Sequence, residues 1–163
     1  FSYSTDIQTV RFHRPFDLYS LEFFADVVFV ALLTVSRDHF ADESCKEELE
    51  ARKEHGVVSW DAPFLCRHGI PDQLIPADFP QNIFITFDVD GLDPSIMPET
   101  GTPVPGGLGW YQALDLAQKA MEGRTLLAFD VVELAPREGH IVSDFTAASL
   151  TYALMGLAER NER

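Results

Sequence analysis

The stretch Phe84-Ile85-Thr86-Phe87-Asp88-Val89-Asp90-Gly91-Leu92-Asp93-Pro94 decides the fold. Four residues of strand-forming, mostly apolar sequence run straight into two carboxylates two positions apart. On a strand, residues i and i+2 leave the same face, so Asp88 and Asp90 are expected to point together while Phe87 and Val89 pack behind them. In open α/β sheets ligands gather at the carboxyl ends of strands, where this pair falls. Neighbouring carboxylates repel unless a cation or a proton lies between them, and hard oxygen donors favour Mg²⁺, Mn²⁺ or Ca²⁺. The competing reading is a plain turn, since Asp, Gly and Pro are all turn residues.

Outward from this stretch, apolar runs at Val27–Leu33, Val57–Trp60, Ile83–Phe87 and Thr125–Val132 read as strands. They are continuous rather than alternating, as in parallel sheets covered on both faces. Helical patterns fall between them. Asp38 to His55 is charged, with Glu48 and Arg52 at i,i+4 spacing, which suits a solvated surface helix. Trp110, Ala113, Leu114, Ala117 and Met121 share one face of a second helix, and Ala148, Tyr152 and Met155 form a stripe on a third, from about Asp144 to Ala158. Cys66 to Pro80, with Gly69, Pro71, Pro76 and Pro80, reads as an ordered loop, and the first 26 residues show no clear pattern. Alternating strands and helices imply an α/β fold.

Composition narrows the function. The 163 residues make about one domain, 46% hydrophobic and 23% charged. Twenty-six acidic against twelve basic residues give a formal charge of −14, which argues against nucleic acid or an anionic membrane as partner and suits a cationic substrate. No run approaches the ~20 apolar residues of a membrane span. The two cysteines, Cys45 and Cys66, have no zinc or disulfide spacing, so a reducing compartment, cytoplasm or an organelle matrix, is expected.

Two lookalikes of the acidic motif, and one of a nearby glycine-rich segment, fit less well. An EF-hand counted from Asp88 would need a ligand at Leu92 and Gly at Asp93, and only Glu99 at the twelfth place matches. A haloacid-dehalogenase-type phosphatase also opens with Asp-x-Asp-Gly, yet Leu92 follows where that family wants Thr or Val. Gly101-Thr102-Pro103-Val104-Pro105-Gly106-Gly107 lacks the Gly-Lys-Ser/Thr ending of a phosphate loop, and its prolines remove backbone donors. It reads as a rigid shaped loop leading into a helix.

Taken together, Phe87-Asp88-Val89-Asp90-Gly91-Leu92-Asp93-Pro94, Gly101-Thr102-Pro103-Val104-Pro105-Gly106-Gly107-Leu108 and Phe129-Asp130-Val131-Val132-Glu133-Leu134-Ala135-Pro136 resemble the arginase/agmatinase (ureohydrolase) family in order and spacing. The resemblance covers about Ile83 to Leu157, and its third motif is closer to agmatinases than to arginases. It implies a three-layer α/β/α fold with a mainly parallel sheet, incomplete on its N-terminal side. Residues 27–163 are recognisable and 1–26 divergent. It also implies Mn²⁺-dependent hydrolysis of a small guanidino compound to urea and an amine, with homo-oligomers possible in such a family. By resemblance Asp88 and Asp90 are metal ligands and Glu133 orients the guanidinium. Asp93 is expected to cap a turn, and Asp130 carries no assigned role.

The family's upstream Gly-Gly-Asp-His and Asp-Ala-His-x-Asp ligands are missing. Ser2-Tyr3-Ser4-Thr5-Asp6 leaves Asp6 as the one remnant. His13 falls near the position of a proton-shuttling His, with neighbours that do not match. His39, His55, His68 and His140 read as solvated residues. The chain is therefore expected to be the C-terminal part of a ureohydrolase, or a degenerate relative that binds a partner, and to be inactive alone.

Overall fold

In the computed structural model the described residues are the strand segments 9–13 and 27–32, residues 50 and 54, and the run 58–161. In chain order they give β1 (Thr9–His13), β2 (Val27–Leu32), β3 (Val58–Asp61), α1 (Ala62–His68), β4 (Asn82–Asp88), α2 (Trp110–Met121), β5 (Thr125–Val132) and α3 (Val142–Asn161). The strands form one sheet in the order β3-β1-β2-β4-β5.

The half that carries the acidic motif is parallel. β2 pairs with β4 and β4 with β5, Asp88 lying beside Val132. The other half is not. β1 pairs antiparallel with both β2 and β3, which adds an antiparallel half to the parallel sheet expected. The difference traces to Thr9–His13, a strand inside the stretch that shows no pattern in sequence. Its five residues are too short for periodicity to separate from loop, and pairing on both edges holds it. The expected helix over 38–55 lies outside the described residues apart from Glu50 and Glu54, both helical.

The core explains why β4 is central. Ile83, Ile85 and Phe87 are fully buried and alternate with half-buried neighbours, so the strand buries one face completely. The continuous apolar run of the sequence conceals that two-sidedness. Onto that face pack Ala113, Leu116, Ala117, Ala120 and Met121 of α2 with Leu150, Leu154 and Leu157 of α3. α2 starts where Gly109 donates its N–H back to Gln112 Oε1 at 2.9 Å, satisfying a donor that the first helical turn leaves open. α1 replaces the first part of the expected loop. His68 ends it, with its ring 4.9 Å from that of Phe64.

After β4 the chain makes a 3₁₀ turn, Val89–Gly91, and a long loop whose two ends are stapled together. Asp93 N–H donates to Leu108 O at 3.0 Å, and Leu108 N–H to Gly91 O at 2.9 Å. Gly107 sits inside this staple with its Cα against the backbone of Leu92 and Asp93. A Cβ there would lie 2.6 Å from the Leu92 carbonyl carbon. Backbone, unlike a side chain, cannot swing aside. Gly107→Ala is therefore expected to lower stability by about 1–3 kcal/mol, the usual cost of overpacking, as a lowered urea midpoint with an unchanged slope. An unchanged midpoint would show that the staple yields.

Candidate functional site

The site is built at the carboxyl ends of β4 and β5. Asp88 is the last residue of β4 and caps the 3₁₀ turn, accepting the Asp90 N–H on Oδ1 at 2.9 Å. The turn alters the expected geometry. Asp90 is not two positions along the same strand but one turn beyond its end, folded back onto Asp88. Asx capping of this kind competes with strand continuation. The outcome is still a buried pair, Asp88 at 9% and Asp90 at 3% relative exposure.

The loop supplies the supporting shell. Thr102 donates its hydroxyl to Asp90 Oδ2. Asp93 holds the loop's base, Oδ1 accepting Ser95 N–H at 2.9 Å and Oδ2 accepting Gly106 N–H at 3.0 Å, which is the turn-capping role read from sequence. These hydrogen bonds, from Ser95 first and Gly106 next, hold its carboxyl below the usual range. Further along, the buried Glu99 accepts the Ser143 hydroxyl of α3 and donates its own N–H to Ser143 Oγ at 3.0 Å. Its Oε1 lies 3.3 Å from His140 Nδ1. His140 is exposed, as expected, and also lies against the loop through Glu99. The Glu99–Ser143 contact spans 44 positions, a separation that no local motif reports.

Glu133 follows β5 directly, one residue past the partner of Asp88. It is exposed, with φ at 67°. A non-glycine side chain in the left-handed region is uncommon and costs roughly 1–2 kcal/mol. Such outliers concentrate at functional sites. Sequence can place Glu133 at a strand end but not reveal this backbone. Asp130 pairs with Thr86 in the parallel ladder, so the two share a face with Asp88. Its Oδ1 is buried and accepts no hydrogen bond from the described residues.

Buried carboxylates and an orphaned carboxylate oxygen on one strand-end face are the donor chemistry of a hard divalent cation such as Mn²⁺. Among the described residues no three His, Cys, Asp or Glu side chains converge as a complete metal cluster. The donors present fit a metal in kind. Asp6, His39 and His55 lie outside the described residues, as does the His13 side chain.

The structure is an α/β fold in which the parallel half of the sheet carries acidic strand ends and a glycine-proline loop. Residues 29–156 match the arginase family, and the chain belongs to it. The N(1)-aminopropylagmatine ureohydrolase of Synechocystis sp. is 37% identical over 120 residues, covering 73% of this chain and 39% of that protein. An agmatinase of Cronobacter sakazakii is 38% identical over 111 residues, 64% of this chain and 35% of its own. Among solved structures, the proclavaminate amidino hydrolase of Streptomyces clavuligerus superposes with a TM-score of 0.61 at 28% identity, covering 69% of this chain and 40% of that one. The chain thus spans about two fifths of the relatives it matches. With the family established, the phosphatase and EF-hand readings fall away.

Two outcomes follow from the geometry. Because the Asp93 carboxyl is depressed in the folded state, its contribution is complete above the unfolded carboxyl pKa and lost as pH falls through the folded value. The stability gap between wild type and Asp93→Asn should be widest near neutrality and close in acid, read by urea titrations across pH. A gap independent of pH would contradict it. Glu133→Gly is expected to raise stability by about 0.5–1 kcal/mol, the left-handed cost relieved less glycine's greater unfolded freedom, while Glu133→Ala gives no such gain. A destabilised glycine variant would show that the Glu133 side chain holds the structure.

Proposed function

We propose that this chain carries the carboxylate portion of a guanidino-hydrolase site, with Asp88 and Asp90 as Mn²⁺ ligands and Glu133 as the residue that orients the guanidinium. The observation that supports it most is the parallel register placing Val132 beside Asp88, which brings Glu133 to the strand-end edge that holds the acidic pair. A planar guanidinium offers paired N–H donors, and a carboxylate accepts two of them in parallel. Glu133, exposed at that edge, is available to do so. Its left-handed backbone supports a functional assignment, since nothing in the fold's packing requires a large residue there.

The buried pair does different work. Asp88 and Asp90 would hold the metal, with Asp90 fixed by the Thr102 hydroxyl and Asp88 by the Asp90 amide. A pair of divalent ions, when bound, activates water at neutral pH and serves as a Lewis acid. The protein's part is to keep the two carboxylates buried and oriented.

The proposed substrate class is a small guanidino compound carrying a second cationic group, as in agmatine. Matches to an aminopropylagmatine ureohydrolase and an agmatinase and the acidic balance of the chain support that class and a place in polyamine metabolism. The whole of residues 1–163 is proposed as one partial domain, inactive by itself because two carboxylates leave most of an ion's coordination to water. Titration with Mn²⁺ followed by the EPR signal of the free ion should show weak binding, reduced at least tenfold by Asp88→Asn or Asp90→Asn, and no urea from agmatine. Binding indifferent to both substitutions would remove the assignment, and urea release by the chain alone would show that its site is complete.

A further inference from the structure

One buried carboxylate stands apart from the acidic pair. Glu99 is 5% exposed, and Ser143, in the first turn of α3, is fully buried. The two close a ring: Glu99 N–H donates to Ser143 Oγ at 3.0 Å, and the Ser143 hydroxyl donates to Glu99 Oε2. His140 Nδ1, on an exposed side chain, lies 3.3 Å from the other oxygen, Oε1. A serine, a carboxylate and a histidine in contact invite comparison with a nucleophilic triad. Here, however, the carboxylate sits between the other two, and Ser143 has no surface through which to reach a substrate. Burying a carboxylate is costly even with partners, and an apolar pair would fill the same space. Packing alone therefore does not account for Glu99.

The backbone around Glu99 shows what the ring anchors. Glu99 O accepts the Ala135 N–H at 2.9 Å, and Thr100 forms an antiparallel bridge with Leu134. These contacts grip the two residues that follow Glu133, whose φ of 67° is left-handed. A non-glycine residue keeps such a backbone only where its surroundings over-determine it, and the grip on Leu134 and Ala135 supplies that constraint. Three residues beyond Glu99, in the same loop, Thr102 donates its hydroxyl to Asp90 Oδ2. Residues 99–102 thus touch both the buried acidic pair and the strand end that carries Glu133. Ser143 ties them to α3, which is itself held in the core through Leu150, Leu154 and Leu157.

We infer that Glu99 is a positioning residue, which through Ser143 fixes residues 99–102 to α3 and thereby sets Asp90 and the Glu133 backbone relative to each other. It acts through Thr102 on one side and through Leu134 and Ala135 on the other. The roles of Asp90 and Glu133 in chemistry rest on the functional reading above; their mutual placement by Glu99 does not. An amide at position 99 keeps an acceptor for the Ser143 hydroxyl and turns a donor toward His140 Nδ1. The geometry therefore survives Glu99→Gln and is lost in Glu99→Ala or Ser143→Ala. A residue that merely added to overall stability would, when removed, loosen every part of the fold by the same factor. A positioning residue loosens first the segments it grips.

The test is amide hydrogen exchange on the isotopically labelled full chain, read as the exchange rates of the Asp90 and Ala135 amides relative to the amides of β4. In Glu99→Ala and in Ser143→Ala both ratios should rise at least tenfold, while Glu99→Gln stays within about threefold of wild type. The two alanine variants break the ring from opposite sides, so if one fails to fold the other still decides. Ratios unchanged in the alanine variants would overturn the inference, leaving Glu99 a contributor to overall stability alone. A rise confined to one of the two amides would overturn it as well, because Glu99 would then hold one group without setting the two together. So would a Glu99→Gln chain as loose as the alanine variants, since an acceptor for Ser143 would not then suffice. Mn²⁺ affinity plays no part in this readout. A chain that failed to bind Mn²⁺ would remove the functional reading, while the exchange ratios would still decide the positioning role.

Discussion

The parallel pairing of β4 with β5 is the constraint on which the rest depends. It fixes Thr86 against Asp130 and Asp88 against Val132, so one register sets the acidic pair, the orphaned Asp130 oxygen and Glu133 along a single edge. A slip of one residue would send every side chain of β5 to the opposite face. The buried row Ile83, Ile85 and Phe87 opposes such a slip, because it meets α2 and α3 in only one phase. Core packing and site geometry are thus set by the same alignment.

The loop after β4 turns that alignment into a pre-formed site. Its ends are stapled between Gly91, Asp93 and Leu108, its base is held by Asp93, and its middle sends Thr102 to Asp90 and Glu99 to Ser143. Each of these is a hydrogen bond to or from a carboxylate or a backbone group at the strand end. A buried carboxylate without such partners would be costly or protonated. The glycine and proline content that attracts notice in the sequence therefore has a physical role. It lets backbone approach backbone at Gly107 and shapes the loop that holds the two buried carboxylates in place.

Much of this was legible in the residues. The strands at Val27, Val58, Asn82 and Thr125 and the helices at Trp110 and Val142 follow their apolar patterns, while the roles of Asp88, Asp90 and Glu133 remain proposals that rest on strand-end placement and on the family resemblance. What stayed hidden is what local pattern cannot encode. Thr9–His13 is a strand because two neighbours pair with it. Asp90 leaves the strand because Asp88 caps a turn. The positive φ of Glu133 and the bond between Glu99 and Ser143 depend on tertiary placement. The stripe Ala148, Tyr152, Met155 was visible as a stripe, but period alone does not say whether a face looks inward or outward, and this one looks outward.

The central claim is that the ends of β4 and β5 form one cation-binding locus, and the most direct measurement is paramagnetic line broadening. Substoichiometric Mn²⁺ added to the isotopically labelled full chain should broaden the amide resonances of Val89, Asp90, Val132 and Glu133 together, leaving those of α1 sharp. Broadening spread over the acidic surface with no focus at these four residues would contradict it.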